Sequence, residues 1–385
     1  MALSFIVYTL LAFALCGLGW HAGLARRNSD AVAGRTGFWS WEVVLSIVIF
    51  AVVAGARYHT GFDHAMYLEQ YQCYGNYGFF TRDFEWLFSW VTTAFSRCGI
   101  HFFFYFAFWA ALQIGLLLYG VKDQKFLMPW LALVLVLNYY FLSMMNSMRQ
   151  MTVACMFVAM VPLVRDGKWW RYVILCLLGS GIHQSALLLL AMPVFRRLNL
   201  LKPGRLKVLL PVFACCVVAG VYPIWLTWIF SGITRFFAMF NLDRYELVAQ
   251  DILAGNFRAT AWGISHVSTL LLTTAVFCMA PALGKFYKDN FLLKFSFTCY
   301  FVGQCLVNLF INTSAFFLRP FEYMTFMGLI VIAYVMHMLY AQRRWWLLVA
   351  FMALCLSYIY VEIVKTAFLP QLVNQVVLYH FFFQA

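Results

Sequence analysis

Residues 127–164 read LMPWLALVLVLNYYFLSMMNSMRQMTVACMFVAMVPLV, which is two apolar runs separated by a short polar stretch at 146–150. Each run approaches the roughly 20 apolar residues that an α-helix needs to cross a bilayer. The pattern predicts a helical hairpin that turns at a membrane surface, where an arginine either points to lipid headgroups or enters a lined site. Asn146 and Gln150 add polar groups on the neighbouring turn, so a lined site is the favoured interpretation for Arg149.

The composition of the whole chain predicts an integral membrane protein. Hydrophobic residues make up 64% and charged residues 11% of the 385 residues, whereas soluble domains have roughly 45–50% and about 25%. Similar apolar runs recur along the chain, and no linker, repeat or low-complexity tract interrupts them. We therefore predict one all-α, polytopic membrane domain over residues 1–385, with roughly twelve membrane segments that include half-crossings. The segments lie near 3–20, 40–56, 100–120, 127–145, 149–164, 170–183, 184–195, 208–230, 262–283, 291–311, 317–338 and 345–361.

Basic residues divide unequally between the two faces of this topology. The net charge is +13, and most of it falls in short loops that mix lysine with arginine, which is the positive-inside pattern. Nucleic-acid binding is therefore not expected, and both termini are predicted to be extracytoplasmic. The opposite, extracytoplasmic face receives eight arginines and a single lysine, Lys365. The arginines are Arg57, Arg82, Arg97, Arg149, Arg235, Arg244, Arg258 and Arg319.

This nearly lysine-free set indicates phosphate binding. A guanidinium is a planar fork that holds a phosphate through two hydrogen bonds and stays charged in a partly buried site, whereas an ammonium is a compact point charge. Arg319 is followed by Glu322, and an ion pair between these two residues is an equally open interpretation of that cation.

Two extracytoplasmic segments, 57–99 and 231–261, exceed ordinary loop length and carry several acids. We interpret them as polar lids over a membrane site. Cys73 and Cys98 belong to the first segment, and a disulfide between them remains open. Most other cysteines lie in apolar runs, where they are typical of small buried hydrophobic residues rather than metal ligands.

The first of these segments is unusually rich in reactive groups for so apolar a chain. Positions 57–67 hold an arginine, two histidines, the carboxylate of Asp63 and the phenol of Tyr67. Glu85 then opens an amphipathic stretch up to Ser96, which is typical of a helix lying along the membrane interface. At the start of that helix, Glu85 is also suited to the positive end of the helix dipole.

The segments 170–183 and 184–195 are each too short to cross about 30 Å of hydrocarbon comfortably. Together they predict a pair of half-helices that meet within the bilayer at 179–183. Irregular backbone at that depth lines a cavity or is buried in protein, so an ionisable group there, His183, is a functional candidate. The alternative is a histidine whose ring is satisfied by a neighbouring carbonyl or hydroxyl group.

These features resemble the EpsG-like branch of the Wzy-type polysaccharide polymerases. The resemblance spans most of the chain, and it departs from the family at Phe62, where a threonine is usual. It implies a GT-C-like membrane glycosyltransferase in the bacterial cytoplasmic membrane, with an outward-facing site that joins repeat units carried on undecaprenyl pyrophosphate. A chain-length co-polymerase is an implied partner. The resemblance rests on Arg57, Gly61-Phe62-Asp63, Tyr67, Glu85, Leu87-Phe88, Met148-Arg149-Gln150, Ala154, Gly181-Ile182-His183-Gln184-Ser185-Ala186 and Arg319.

The chemistry of a pyrophosphate leaving group agrees with this resemblance. Fixed guanidinium groups stabilise the charge that grows as the glycosidic bond breaks, so neither a metal nor a cofactor is required. We expect Arg57, Arg149 and Arg319 to bind pyrophosphate. We expect His183 to be the general base, with Asp63 as the second choice for base or orienting group. Direct displacement would invert the anomeric configuration. The expected lid or acceptor residues are Gln150, Tyr67, Glu85, Arg235, Arg244 and Arg258.

Two other functions remain open from the sequence. A ligase that moves a finished glycan from the same carrier has the same donor requirements and differs only in its acceptor pocket. A transporter or flippase of an anionic lipid or solute should show intramembrane charges in both halves and repeat symmetry. No such symmetry is visible in the sequence.

Overall fold

The computed structural model describes residues 1–29, 38–78, 83–222, 225, 263–313, 315–368 and 377–384. The helices before residue 200 are α1 (Ala2–Ser29), α2 (Trp41–Gly55), α3 (Phe62–Tyr77), α4 (Trp86–Arg97), α5 (Phe102–Gly120), α6 (Met128–Leu137), α7 (Tyr140–Asn146), α8 (Met148–Asp166) and α9 (Trp169–Ser180). The later helices are α10 (Leu206–Val221), α11 (Ile264–Cys278), α12 (Ala280–Phe286), α13 (Phe291–Leu309), α14 (Ala315–Phe326), α15 (Gly328–Ala341) and α16 (Trp345–Phe368). Segments of 3₁₀ helix lie at Lys122–Leu127, Gln184–Arg197 and Phe382–Gln384.

The all-helical membrane fold is confirmed for the described residues. Six helices in this part of the chain are long and apolar enough to cross a membrane, or up to eight if each of two bent helix pairs counts as one span. The predicted total of roughly twelve segments is not confirmed. The six are Ala2–Leu24, Phe102–Gly120, Met148–Asp166, Phe291–Leu309, Leu318–Ala341 and Trp345–Thr366.

The chain divides into two compact units. The first comprises Met1–Arg196 and Ile332–Ala385, and the second comprises Arg197–Val331. The prediction of one membrane domain over residues 1–385 stays a prediction. In the second unit, α13 packs against both α10 and α14.

Helix α6 is at the centre of the first unit. Every residue of Met128–Leu137 is buried, as expected of a helix that is apolar on all sides and enclosed by others. Helices α1 and α16 pack against α6, α1 also packs against α2, α2 packs against α5, and α5 packs against α8. Helix α8, which carries Arg149, is thereby packed into the first unit through its contact with α5.

The predicted single span 127–145 is broken in the structure. Helices α6 and α7 meet at an angle of 64°, and Tyr139 between them adopts a left-handed conformation with φ of 74°. The Asn138 side-chain amide donates a hydrogen bond of 3.0 Å to the Cys355 carbonyl of α16. This hydrogen bond connects the break between α6 and α7 to the neighbouring helix α16.

The predicted lid segment 57–99 folds into the helices α3 and α4. The amphipathic stretch from Glu85 onward is confirmed as a helix, and its position at a membrane interface stays a prediction. Cys73 and Cys98 are free thiols. The second predicted lid, 231–261, lies outside the described residues.

The segment 377–384 returns to the connection between α2 and α3. Arg57 and Phe381 form an isolated antiparallel bridge, in which the Tyr58 amide donates to the His380 carbonyl at 2.8 Å. The Tyr8 hydroxyl of α1 donates to the Val377 carbonyl at 2.8 Å. These contacts tie the last described residues to the start of the first unit.

Gly61 precedes α3 with φ of 98° and ψ of 143°, a conformation that is essentially restricted to glycine. We expect Gly61→Ala to destabilise the protein by about 1–3 kcal/mol because it forces a side chain into this conformation. The thermal midpoint of the purified protein in detergent measures this effect. Gly17→Ala is the matched control, because nothing lies within 4 Å of a Cβ added at Gly17. Equal midpoints for the two variants would contradict the prediction.

Candidate functional site

The candidate site forms where the start of α4 meets the end of α9. The backbone amides of Leu87 and Phe88 both donate to the Gly181 carbonyl, at 2.8 and 3.0 Å. These amides belong to the first turn of α4, and amides in the first turn of a helix have no acceptor within that helix. The Gly181 carbonyl therefore caps α4, and it fixes Glu85 beside His183.

The Glu85 carboxylate bridges an imidazole and a guanidinium. Its Oε1 atom lies 2.9 Å from Nδ1 of His183 and accepts a hydrogen bond of 3.0 Å from the Gln184 backbone amide. Its Oε2 atom accepts a hydrogen bond from Nη1 of Arg149. Three side chains from widely separated parts of the sequence therefore converge on one another.

Aromatic rings surround the Arg149 guanidinium. Its Cζ atom lies 4.7 Å from the centroid of the Phe84 ring, 5.5 Å from that of Phe88 and 5.9 Å from that of Tyr67. Its Nε atom donates to the Tyr67 hydroxyl at 3.4 Å. Cation–π contacts hold the planar guanidinium in one orientation. The side chain remains 20% exposed, which leaves part of it open to a ligand.

The electrostatic environment keeps Glu85 ionised. Burial by itself raises the pKa of the carboxyl, but the His183 hydrogen bond, the charge of Arg149 and the Gln184 amide lower that pKa to about 2 overall. Hydrogen bonds and positive charges that favour the ionised form outweigh desolvation here. Glu85 is therefore an acceptor and an anion at neutral pH rather than a proton donor.

This depressed pKa predicts how stability depends on pH. The ionised Glu85 stabilises the fold above the pKa of an unfolded glutamate, roughly 4.3, and this stabilisation is lost as the pH falls towards the folded pKa of about 2. We expect the difference in thermal midpoint between wild type and Glu85→Gln to persist from about pH 8 down to about pH 5 and to shrink below about pH 4. A difference that already disappears near pH 6 would show that the carboxyl takes up its proton there.

Two further predicted site residues, Tyr67 and Asp63, lie near this cluster, and a third, Gln150, follows Arg149 in the chain. Tyr67 is buried and contacts Arg149 as described. The Asp63 backbone amide donates to Oδ1 of Asn146 at 3.1 Å. Burial raises the pKa of the Tyr67 phenol, Arg149 opposes this rise, and the Asp63 carboxylate adds to it, so Asp63 is within electrostatic reach. Gln150 is buried on α8.

Arg57 is not brought to the carboxylate. It is 1% exposed and donates through Nη2 to the Met145 carbonyl at 3.1 Å. Burial lowers the pKa of its guanidinium to about 10, which leaves it charged at neutral pH. In this conformation Arg57 presents no surface to a ligand.

The remaining predicted cations belong to other parts of the chain. Arg319 lies on α14 in the second unit, where it is exposed and interacts electrostatically with Glu322. Its role stays a prediction. Arg235, Arg244 and Arg258 lie outside the described residues. Within the described ranges, no group of three histidine, cysteine, aspartate or glutamate side chains gathers that could hold a metal ion.

The helices and the charged cluster together define a helical membrane protein with a partly buried carboxylate that contacts both an imidazole and a guanidinium. The chain belongs to the EpsG family, whose family model matches residues 41–381. Membership of this family indicates a membrane protein of the polysaccharide-polymerase type. The family resemblance drawn from the sequence is thereby confirmed. No curated protein and no solved structure matches the chain.

Proposed function

We propose that this protein polymerises lipid-linked oligosaccharide repeat units. It would transfer the glycan from undecaprenyl pyrophosphate to a sugar hydroxyl of an acceptor repeat unit, on the extracytoplasmic side of a bacterial cytoplasmic membrane. Family membership supports the polymerase class. The observation that carries the proposal within that class is the single carboxylate, Glu85, that contacts a guanidinium and an imidazole together.

Arg149 is the residue we assign to the pyrophosphate. Nη1 binds Glu85 and Nε binds Tyr67, whereas Nη2 has no hydrogen-bond partner among the described residues. A fixed guanidinium stabilises the transition state because negative charge grows on the leaving oxygen as the glycosidic bond breaks. The aromatic rings around Arg149 lower the local dielectric constant, which strengthens this interaction.

His183 is the residue we assign as general base. Its contact with the Glu85 carboxylate favours a proton on Nδ1, which leaves the lone pair of Nε2 available to the acceptor hydroxyl. A carboxylate that orients an imidazole and stabilises the imidazolium is a recurring arrangement in acyl transfer. Here the proton would pass from the acceptor hydroxyl to Nε2 while the sugar oxygen attacks the anomeric carbon and the pyrophosphate leaves.

Several parts of this mechanism rest on the chemistry alone. Direct displacement inverts the anomeric configuration, and the guanidinium takes the place of a divalent metal. Asp63 remains the second choice for the base, because it lies within electrostatic reach of Tyr67. We retain Arg319 as a further pyrophosphate ligand, and we retain the lid role of Arg235, Arg244 and Arg258.

The decisive experiment supplies purified protein with a lipid-pyrophosphate oligosaccharide, without nucleotide or ion gradient. A ladder of longer lipid-linked chains is the expected product. A single transfer to a different acceptor would indicate a ligase instead. Movement of the lipid across a vesicle membrane without any new glycosidic bond would indicate a flippase, and either result would overturn the proposed function.

A further inference from the structure

The junction between α7 and α8 leaves backbone carbonyls without partners in either helix. Ser147 separates the two helices with φ of −90° and ψ of 53°, which is not helical. The last four carbonyls of a helix have no amide partner within that helix. In α7 the Ser143 carbonyl is satisfied by the Ser147 amide at 2.9 Å, and Met144 and Met145 follow it.

Two buried side chains donate hydrogen bonds to backbone carbonyls at this junction. Nε2 of Gln113, on α5, donates to the Met144 carbonyl at 3.1 Å and to the Met148 carbonyl at 3.0 Å. It therefore joins the last turn of α7 to the first turn of α8. Arg57 donates to the Met145 carbonyl at 3.1 Å through Nη2 and to the Met145 sulfur at 3.1 Å through Nη1.

Arg57 and Gln113 are buried and hydrogen-bond to backbone carbonyls inside the protein. Gln113 is 0% exposed and Arg57 is 1% exposed, so neither side chain reaches solvent. The Arg57 guanidinium lies 4.8 Å from the centroid of the Phe106 ring, and it donates to the Ala54 carbonyl at the end of α2. A buried cation is tolerated when it is hydrogen-bonded in this way, and removing one donor leaves a buried carbonyl unsatisfied.

We propose that Arg57 and Gln113 are positioning residues that hold the α7–α8 junction, and through it the direction of Arg149. This inference rests on the proposed function, because it gives Arg149 the pyrophosphate. It replaces our expectation from the sequence that Arg57 itself binds pyrophosphate. Arg149 directly follows Met148, whose carbonyl accepts the Gln113 hydrogen bond. A shift of the junction therefore moves the Arg149 guanidinium relative to Glu85.

The first test measures the junction without any substrate. Hydrogen–deuterium exchange of a peptide covering 144–152 should become faster in Arg57→Lys and in Gln113→Leu, while exchange in α4 stays unchanged. Arg97→Lys and Gln72→Leu are matched controls, since both side chains are exposed on the same outer segment. Unchanged exchange at the junction in folded variants would overturn the proposed positioning role.

The second test separates positioning from direct binding. The probe is inorganic pyrophosphate, and its affinity is measured together with the turnover of chain extension. A positioning residue predicts that Arg57→Lys and Gln113→Leu keep pyrophosphate affinity within about threefold and lower turnover about 10- to 100-fold. Arg149→Lys should lose affinity in the same assay, because it alters the residue that contacts the probe.

The outcomes distinguish this proposal from the proposed function. Loss of pyrophosphate affinity in Arg57→Lys to the extent seen in Arg149→Lys would make Arg57 a ligand and overturn the positioning role. Turnover within twofold of wild type in both Arg57→Lys and Gln113→Leu would overturn it as well. If the wild type makes no product ladder, the proposed function fails, and hydrogen exchange at the junction still decides whether Arg57 and Gln113 hold it.

Discussion

Arg149→Lys is expected to abolish chain extension while the protein stays in the membrane at its normal level. The ammonium keeps the charge but loses the planar fork that reaches Glu85, Tyr67 and a ligand together. Removing a fixed donor to a developing anion lowers turnover by roughly 10²–10³-fold. The measurement is the length distribution and rate of the product ladder made by purified protein from the lipid-linked oligosaccharide.

Arg165→Lys is the matched control for this experiment. Arg165 lies at the opposite end of the same helix, α8, where it is half exposed and pairs with Asp166 at 2.8 Å. Exposed ion pairs of this kind contribute little to stability, so chain extension should continue at the wild-type rate. Normal ladders from Arg149→Lys would remove Arg149 from the site, and the proposed mechanism would lose its pyrophosphate ligand.

His183→Ala is expected to retain pyrophosphate binding and to lose turnover. In the proposed mechanism the imidazole acts on the acceptor hydroxyl and not on the pyrophosphate, so pyrophosphate affinity should change by no more than about threefold. Loss of a general base lowers the rate by roughly 10²–10⁴-fold. Added imidazole should restore part of the turnover, because a small diffusible base can occupy the space that the side chain leaves.

His380→Ala serves as the control, since the His380 side chain is exposed and only its backbone carbonyl takes part in the bridge to Tyr58. Rescue by imidazole separates a chemical role from a packing role, which imidazole in solution would not restore. Full turnover in His183→Ala would show that the ring is a packing residue. Asp63 would then become the first candidate for the base.

The local parts of this structure follow from the sequence. Apolar length predicts α5, α8 and α13 within a few residues, because burial in a bilayer depends on composition along a single segment. It predicts the start of α1 equally well, but the helix continues to Ser29, beyond the predicted end near residue 20. The amphipathic pattern after Glu85 likewise predicts a helix that begins next to it. The pattern does not predict the break at Tyr139. The apolar residues before and after it are separated only by Asn138 and two tyrosines, so the segment 127–145 has the composition of one continuous span.

The site was predicted as a set of residues and not as a set of contacts. Arg149 and His183 stand out because each is an ionisable group at a turn between apolar runs. Their shared partner, Glu85, is predicted only as a lid or acceptor residue at the start of a helix, because nothing local in the sequence links it to a histidine 98 positions later. The sequence does not show that the Arg57 side chain is buried either. An arginine that holds backbone carbonyls and an arginine that binds a ligand can occupy the same position at the end of an apolar run.

The Gly181 carbonyl that caps α4 has a consequence for synthesis of the protein. The amides of Leu87 and Phe88 have no such acceptor until the ribosome has added the turn that follows α9. Helix α4 can form earlier, but its first turn then stays uncapped and Glu85 has no contact with His183. Assembly of the cluster around Glu85 therefore depends on the synthesis of Gly181, near the middle of the 385-residue chain, and not on the formation of α4 alone.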